Sequence, residues 1–166
     1  MNKRSTLRIL ISNALIAAVY AVLTLTLYFS AYGQIQVRVA EALTILPFFS
    51  GYYIVGLTLG CFVANIFSIM KMDMLFGTLA TFIAACLTYF IGKSKVQFKK
   101  YIAPLPPVIV NAVIVGMELK IVTHAPFLVN AICVGVGELV ACYVFGLPLL
   151  AVIEKNKVLK KFMRFE

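Results

Sequence analysis

The chain has 166 residues, 63% of them hydrophobic and only 13% charged, with a mean hydropathy of +1.01. A soluble domain is about 45–50% apolar and about 25% charged, so composition excludes a water-soluble globule and implies an integral membrane protein. The net charge of +9 is no nucleic-acid footprint, because the basic residues fall in three short blocks that flank apolar runs: Lys3, Arg4 and Arg8; Lys93, Lys95, Lys99 and Lys100; Lys155, Lys157, Lys160, Lys161 and Arg164. That is the distribution of cytoplasmic loops.

In chain order, the first apolar run predicts a helix over about 8–31. It is too long for a signal h-region and lacks a clear A-x-A cleavage site, so it reads as a retained span. Ala14, Ala17, Ala18 and Ala21 form overlapping small-xxx-small pairs on it and permit close approach of another helix. The run 42–69 is too long for one span and short for two, and Pro47, Ser50 and Gly51 lie inside it. Splitting it at 49–52 predicts a short helix over 41–49 and a longer one over 53–70. Further helices are expected over 74–92, 103–120 and 126–153, the last two divided at His124–Pro126. Six segments put every basic block and both termini on the cytoplasmic side, whereas a single helix over 42–69 would leave a basic block outside. The expectation is one domain, 1–166, an all-α integral membrane bundle of six transmembrane helices.

The four cysteines all lie in apolar runs without CxxC spacing. They read as small apolar filler rather than metal ligands or disulfides. No metal site and no catalytic residue is expected.

The charges left inside the spans are the informative ones, since ionisable groups there face a cavity or a partner. Arg38, Glu41, Asp73, Glu118 and Lys120 fall near the outer helix ends. Asp73 reads equally as a helix cap, and Glu118 as a surface partner of Lys120 or His124. Lys71 and Lys120 read as snorkelling side chains. Glu138 lies about 12 residues into the last helix, roughly 18 Å along it, with no basic residue within a helical turn. Asn111 and Glu118 are seven apart on one helix face. Asn130 and Glu138 are eight apart on the next helix, with Gly135 and Gly137 leaving room beside Glu138. Amides and carboxylates from two helices suit a small flat ligand rich in N–H donors; they would also suit protons or a cation.

Several motifs together resemble a known family: "IQVRVAEALTILPFF" (35–49), "GLTLGCFVANIFS" (56–68), "DMLFGTLATFIAA" (73–85), "LPPVIVNAVIVGMEL" (105–119) and "GVGELVACYVFGLPL" (135–149). With the alanine-striped first helix they are similar to the substrate-binding (S) subunits of energy-coupling-factor (ECF) transporters, and within these to the queuosine-precursor family QueT. The resemblance implies a prokaryotic plasma-membrane protein with both termini cytoplasmic that binds a 7-deazaguanine base or a related queuosine precursor. It implies no cofactor in this chain, ATP being used by two cytoplasmic ATPases that work with a membrane scaffold (T) subunit. It also implies that the loaded subunit topples to release its ligand inside. The substrate residues expected are Glu138, Asn111, Glu118 and Asn130, with Glu41 near the entrance and Arg38 fixing the first loop. Glu118, near a helix end, is expected to have water at hand. Ala14, Ala17, Ala18 and Ala21 are expected to meet the scaffold. The competing reading is a proton-coupled secondary transporter with Glu138 and Glu118 as proton carriers. An enzyme is not expected, since neither HExxH nor a GxS with a His partner occurs and the single histidine lies in a turn.

Overall fold

The computed structural model describes residues 3–31 and 36–165. Residues 1–2, 32–35 and 166 lie outside the description; they include Ile35 at the head of the 35–49 motif and Glu166, expected among the cytoplasmic lysines.

Among the described residues every regular element is helical, and none is a strand. They form α1 (Lys3–Thr26), α2 (Tyr28–Ala31), a 3-10 helix (Val39–Phe48), α3 (Tyr53–Ile66), α4 (Asp73–Lys93), α5 (Lys99–Ile102), α6 (Leu105–Thr123) and α7 (Phe127–Leu139). A π-helical segment (Val140–Gly146), α8 (Leu147–Lys155) and α9 (Lys157–Met163) follow. Four stretches are long and apolar enough to cross a bilayer: Ser5–Thr26, Asp73–Lys93, Lys99–Thr123 and Phe127–Lys155, of 21 to 29 residues. Val39–Phe48 and Tyr53–Ile66 are apolar but shorter.

The exterior is greasier than the interior. Leu10, Leu75, Phe90 and Leu128 are 65–67% exposed, while Arg38, Glu41, Asp73 and Glu118 are at most 2% exposed. Water would penalise both choices; a lipid-facing surface around a polar interior removes the penalty on the first.

The break expected at 49–52 is present, between Phe48 and Tyr53. The short helix before it differs from expectation in type. It is wound as a 3-10 helix, whose three residues per turn stack positions i and i+3 on one edge. Arg38, Glu41 and Thr44 therefore share that edge, with the Glu41 N–H donating to the Arg38 carbonyl at 2.9 Å and the Thr44 hydroxyl to the Glu41 carbonyl at 2.6 Å. The helix expected over 126–153 is interrupted by the π segment. Pro148 has no N–H, and its ring would press on the carbonyl four residues back in a regular α-helix. Widening the preceding turn relieves this, and the Leu147 N–H reaches back five residues to the Cys142 carbonyl.

Helix α1 packs along α3, α4 along α3 and α6, and α6 along α7; the 3-10 helix lies between α4 and the π segment. The α1–α3 contact is close enough to need glycine. A Cβ on Gly60 would lie 2.8 Å from the Ala17 carbonyl oxygen, and the Gly56 N–H donates to Asn13 Oδ1 at 2.7 Å. The small stripe of α1 is accordingly split. Ala17 faces Gly60 and Ala21 is buried, whereas Ala14 and Ala18 are exposed.

Candidate functional site

Glu41 sits at the centre of a buried polar cluster. Its Oε1 accepts the Tyr20 hydroxyl from α1 at 2.5 Å and the Thr81 hydroxyl from α4 at 2.6 Å. One helical turn earlier, Arg38 Nη1 donates to Cys61 Sγ at 4.0 Å, and its guanidinium lies within electrostatic reach of Glu41 and Asp73. Thr81 and Asn65 Nδ2 also donate to Cys61 Sγ, at 3.2 and 3.3 Å. The expectation that Glu41 stands near an entrance is corrected, because it is fully buried between three helices.

Asp73 opens α4, but its side chain does not cap that helix. The N-cap is Met72, with no side-chain cap bond. Asp73 instead turns inward, 0% exposed, where its Oδ2 accepts the Ser68 hydroxyl and its carbonyl accepts Asn65 Nδ2 at 2.9 Å. Glu118 lies beside Asp73 and within reach of Arg38. It does not pair at the surface: it is 0% exposed, while Lys120 and His124 point outward. Glu118 thus lies deeper than its place near a helix end suggests, covered by its neighbours.

Asn111 projects from the same face of α6, also 0% exposed, and lies beside Glu138 on α7. Glu138 is 2% exposed and within reach of both Glu41 and Arg38. The cation that sequence proximity lacks thus arrives from the loop before the 3-10 helix. The π segment supplies Cys142, whose thiol donates to Glu138 Oε2 and to the Glu41 carbonyl, each at 3.8 Å. The loop can come this close because of Gly137: a Cβ there would lie 2.3 Å from the Gln36 carbonyl oxygen. Asn130 behaves differently. It is buried, but its amide donates to Ala125 O at 3.4 Å, in the turn just before its own helix.

The structure thus gathers Arg38, Glu41, Asn111, Glu118 and Glu138, and adds Tyr20, Cys61, Asn65, Asp73 and Thr81. Tyr20, Asn65 and Thr81 are polar residues in predominantly apolar helices, but other polar residues such as Thr24, Thr58 and Thr78 share those helices, so the sequence does not single them out. Within the cluster one guanidinium faces four carboxyl groups. Glu41 Oε2, Asp73 Oδ1, both Glu118 oxygens and both amide atoms of Asn111 complete no hydrogen bond of good geometry among the described residues. Buried polar atoms are normally partnered, and each one left over costs about 1–3 kcal/mol. An interior this rich in unmatched acceptors suits donors: a cationic or N–H-rich ligand, or protons.

An apolar exterior, four helices of spanning length and an inward-facing acidic cluster define a multi-pass membrane protein. The chain belongs to the QueT transporter family, whose family model matches residues 10–155. It is a family of transporters, not enzymes. The chain is also similar to a protein of Lactococcus lactis subsp. cremoris (strain MG1363) described as a queuosine precursor transporter QueT. The two are 29% identical over 158 residues, covering 86% of this chain and 90% of the relative. No solved structure matches it.

Proposed function

We propose that this chain is the substrate-binding subunit of an energy-coupling-factor importer and captures a queuosine precursor, a 7-deazaguanine base, from outside the cell. The observation that carries the reading is the set of unmatched buried acceptors on Glu41, Asp73, Glu118 and Asn111 around a single guanidinium. A guanine-like edge offers adjacent ring N–H and exocyclic amine donors. A carboxylate accepts both at once, in charge-assisted bonds stronger than neutral ones. Glu138, with Asn111 beside it, takes that edge, and Arg38 donates to the base carbonyl. Membership of a transporter family and the substrate named for the Lactococcus relative support this assignment.

The remaining parts of the reading follow from the sequence. The two short apolar helices complete six segments, with the basic blocks and both termini in the cytoplasm of a prokaryotic cell. The sequence contains no GxxxxGK[ST] phosphate loop. As the resemblance to the substrate-binding subunits of energy-coupling-factor transporters implies, ATP is used by two cytoplasmic ATPases, coupled through a membrane scaffold subunit that meets the exposed Ala14 and Ala18, and the loaded subunit topples to deliver the base. The carboxyl-rich interior also favours one second reading, a proton-coupled carrier with Glu118 and Glu138 as proton sites.

Uptake of a labelled 7-deazaguanine base into vesicles separates the two. ATP-dependent uptake only when scaffold and ATPases are present is expected. Uptake by this chain alone, driven by a pH gradient, would replace the importer reading with the carrier.

A further inference from the structure

We propose that α9 (Lys157–Met163) is an interfacial amphipathic helix that gathers anionic phospholipids around the basic end of the bundle.

The sequence makes α9 a separate element. Asn156 breaks the last spanning stretch with an extended backbone, φ −92° and ψ 106°, and its Oδ1 accepts the N–H groups of Val158 and Leu159 at 3.0 and 3.2 Å. A cap of this kind starts a helix on a new heading. The 7 residues of α9 rise only about 10 Å, too little to cross a bilayer. Its far end is fastened to other helices. Arg8 of α1 donates to the Phe162 carbonyl at 2.7 Å and lays its guanidinium 4.1 Å from the Phe162 ring centre. The Tyr53 hydroxyl of α3 donates to Met163 Sδ at 3.3 Å. Starting from α8 and ending on α1 and α3, α9 crosses the end of the bundle instead of prolonging α8.

Its side chains are sorted by polarity. At 3.6 residues per turn, Val158, Phe162, Leu159 and Met163 fall within an arc of about 140°, and Lys160, Arg164, Lys157 and Lys161 within a facing arc of about 100°. The arcs do not overlap. Met163 turns towards Tyr53, but Val158 is 78% exposed and Phe162 48%. No acid lies on α9, and Glu154 just before it is engaged by Lys100. An uncovered apolar edge beside a row of cations fits the boundary between headgroups and acyl chains, with the apolar edge in the chains and the cations at the phosphates. A neutral protein groove would serve Val158 and Phe162 but not the cations. Each cation held at an anionic lipid surface strengthens the attachment about fivefold.

The chain contains no tryptophan, so Val158→Trp supplies a single reporter, and the exposure of Val158 leaves the packing untouched by the change. The full-length variant is reconstituted in vesicles of phosphatidylcholine and phosphatidylglycerol, with bromine on the acyl chains of one lipid or the other. Brominated chains quench tryptophan at contact range, so the two quenching curves compare the lipids next to α9. The expected result is a local preference for phosphatidylglycerol of about 5- to 50-fold, lost at about 1 M salt, where the screening length is about 3 Å. Lys157→Gln together with Lys161→Gln, both exposed, should bring it to within about threefold of no preference. Phe29→Trp, 93% exposed beyond the other end of α1, should show none. Equal quenching by the two lipids at position 158, or the same preference at position 29, overturns the proposal. A reporter at 158 that neither brominated lipid quenches also overturns it: quenching by aqueous acrylamide would then place that edge in water, and protection from acrylamide would place it under protein.

Discussion

Gly137→Ala isolates the close approach on which the site depends. A Cβ on residue 137 would stand 2.3 Å from the Gln36 carbonyl oxygen and 2.6 Å from its carbon. Ordinary contact begins at 3.4 Å, so the segment leading to Arg38 must retreat by about 1 Å or α7 must shift. Overpacking of this kind costs about 1–3 kcal/mol, which for a chain of this size lowers the unfolding temperature by roughly 2–10 °C. The retreat also carries Arg38 and Glu41 away from Glu138, so affinity for a deazaguanine base should fall at least about tenfold. Gly135→Ala is the internal control. It lies two residues away on the same helix, and its Cβ would meet Ala112 Cβ at 3.4 Å, an ordinary contact; stability and affinity should stay near those of the parent. Heating detergent-solubilised protein and following the monodisperse fraction reads stability, and calorimetry reads binding. Equal behaviour of the two variants, or a Gly137→Ala protein as stable and tight-binding as the parent, would refute the reasoning.

Glu138→Gln keeps the shape but sets a donor against the ligand's donors, and should weaken binding of a deazaguanine base by roughly 30- to 1000-fold, about 2–4 kcal/mol, in calorimetric titration. Near-normal affinity would remove Glu138 from the binding site. Ala14→Trp and Ala18→Trp, on the exposed face of α1, should abolish ATP-driven uptake with ligand affinity intact, whereas Ala21→Trp, which is buried, should lower protein yield instead. Loss of binding with assembly preserved would assign the exposed face to the fold or the pocket. Gln97→Cys, in the turn between α4 and α5, should be labelled by an impermeant thiol reagent only from the cytoplasmic side; labelling from outside would break the six-segment topology.

Much of the architecture is legible because the bilayer imposes simple rules. Run length and the positions of Pro47, Ser50 and Gly51 locate the break before α3, and the turn at His124–Pro126 is present, with His124 in the left-handed conformation at φ 57°. Helix type is less legible. The 3-10 winding of Val39–Phe48 comes from packing between α4 and the π segment, and the π segment itself answers to Pro148, whose effect on upstream turns depends on whether a neighbour can fill the widened groove. Among the site residues, the i, i+7 spacing of Asn111 and Glu118 correctly sets them on one inward face. Depth is misjudged for Glu41 and Glu118, because sequence gives distance along a helix but not which neighbour covers its end. Asp73 shows the same limit: "KMD" before an apolar run reads as a cap, and only Ser68, brought over by the 67–72 turn, holds its carboxyl inward, while Asn65 holds its backbone carbonyl. The pairing of Tyr20 and Thr81 with Glu41 spans 21 and 40 residues, and no local pattern announces it.

The central claim is that the acidic interior holds a deazaguanine base. Purification of the full chain in mild detergent, followed by denaturation and mass analysis of the released small molecules, tests it most directly. The expected result is a 7-deazaguanine base in roughly one-to-one ratio with the protein, lost in Glu138→Gln. Release of a compound of another class, or failure of the protein to retain any 7-deazaguanine base supplied before purification, would contradict the account.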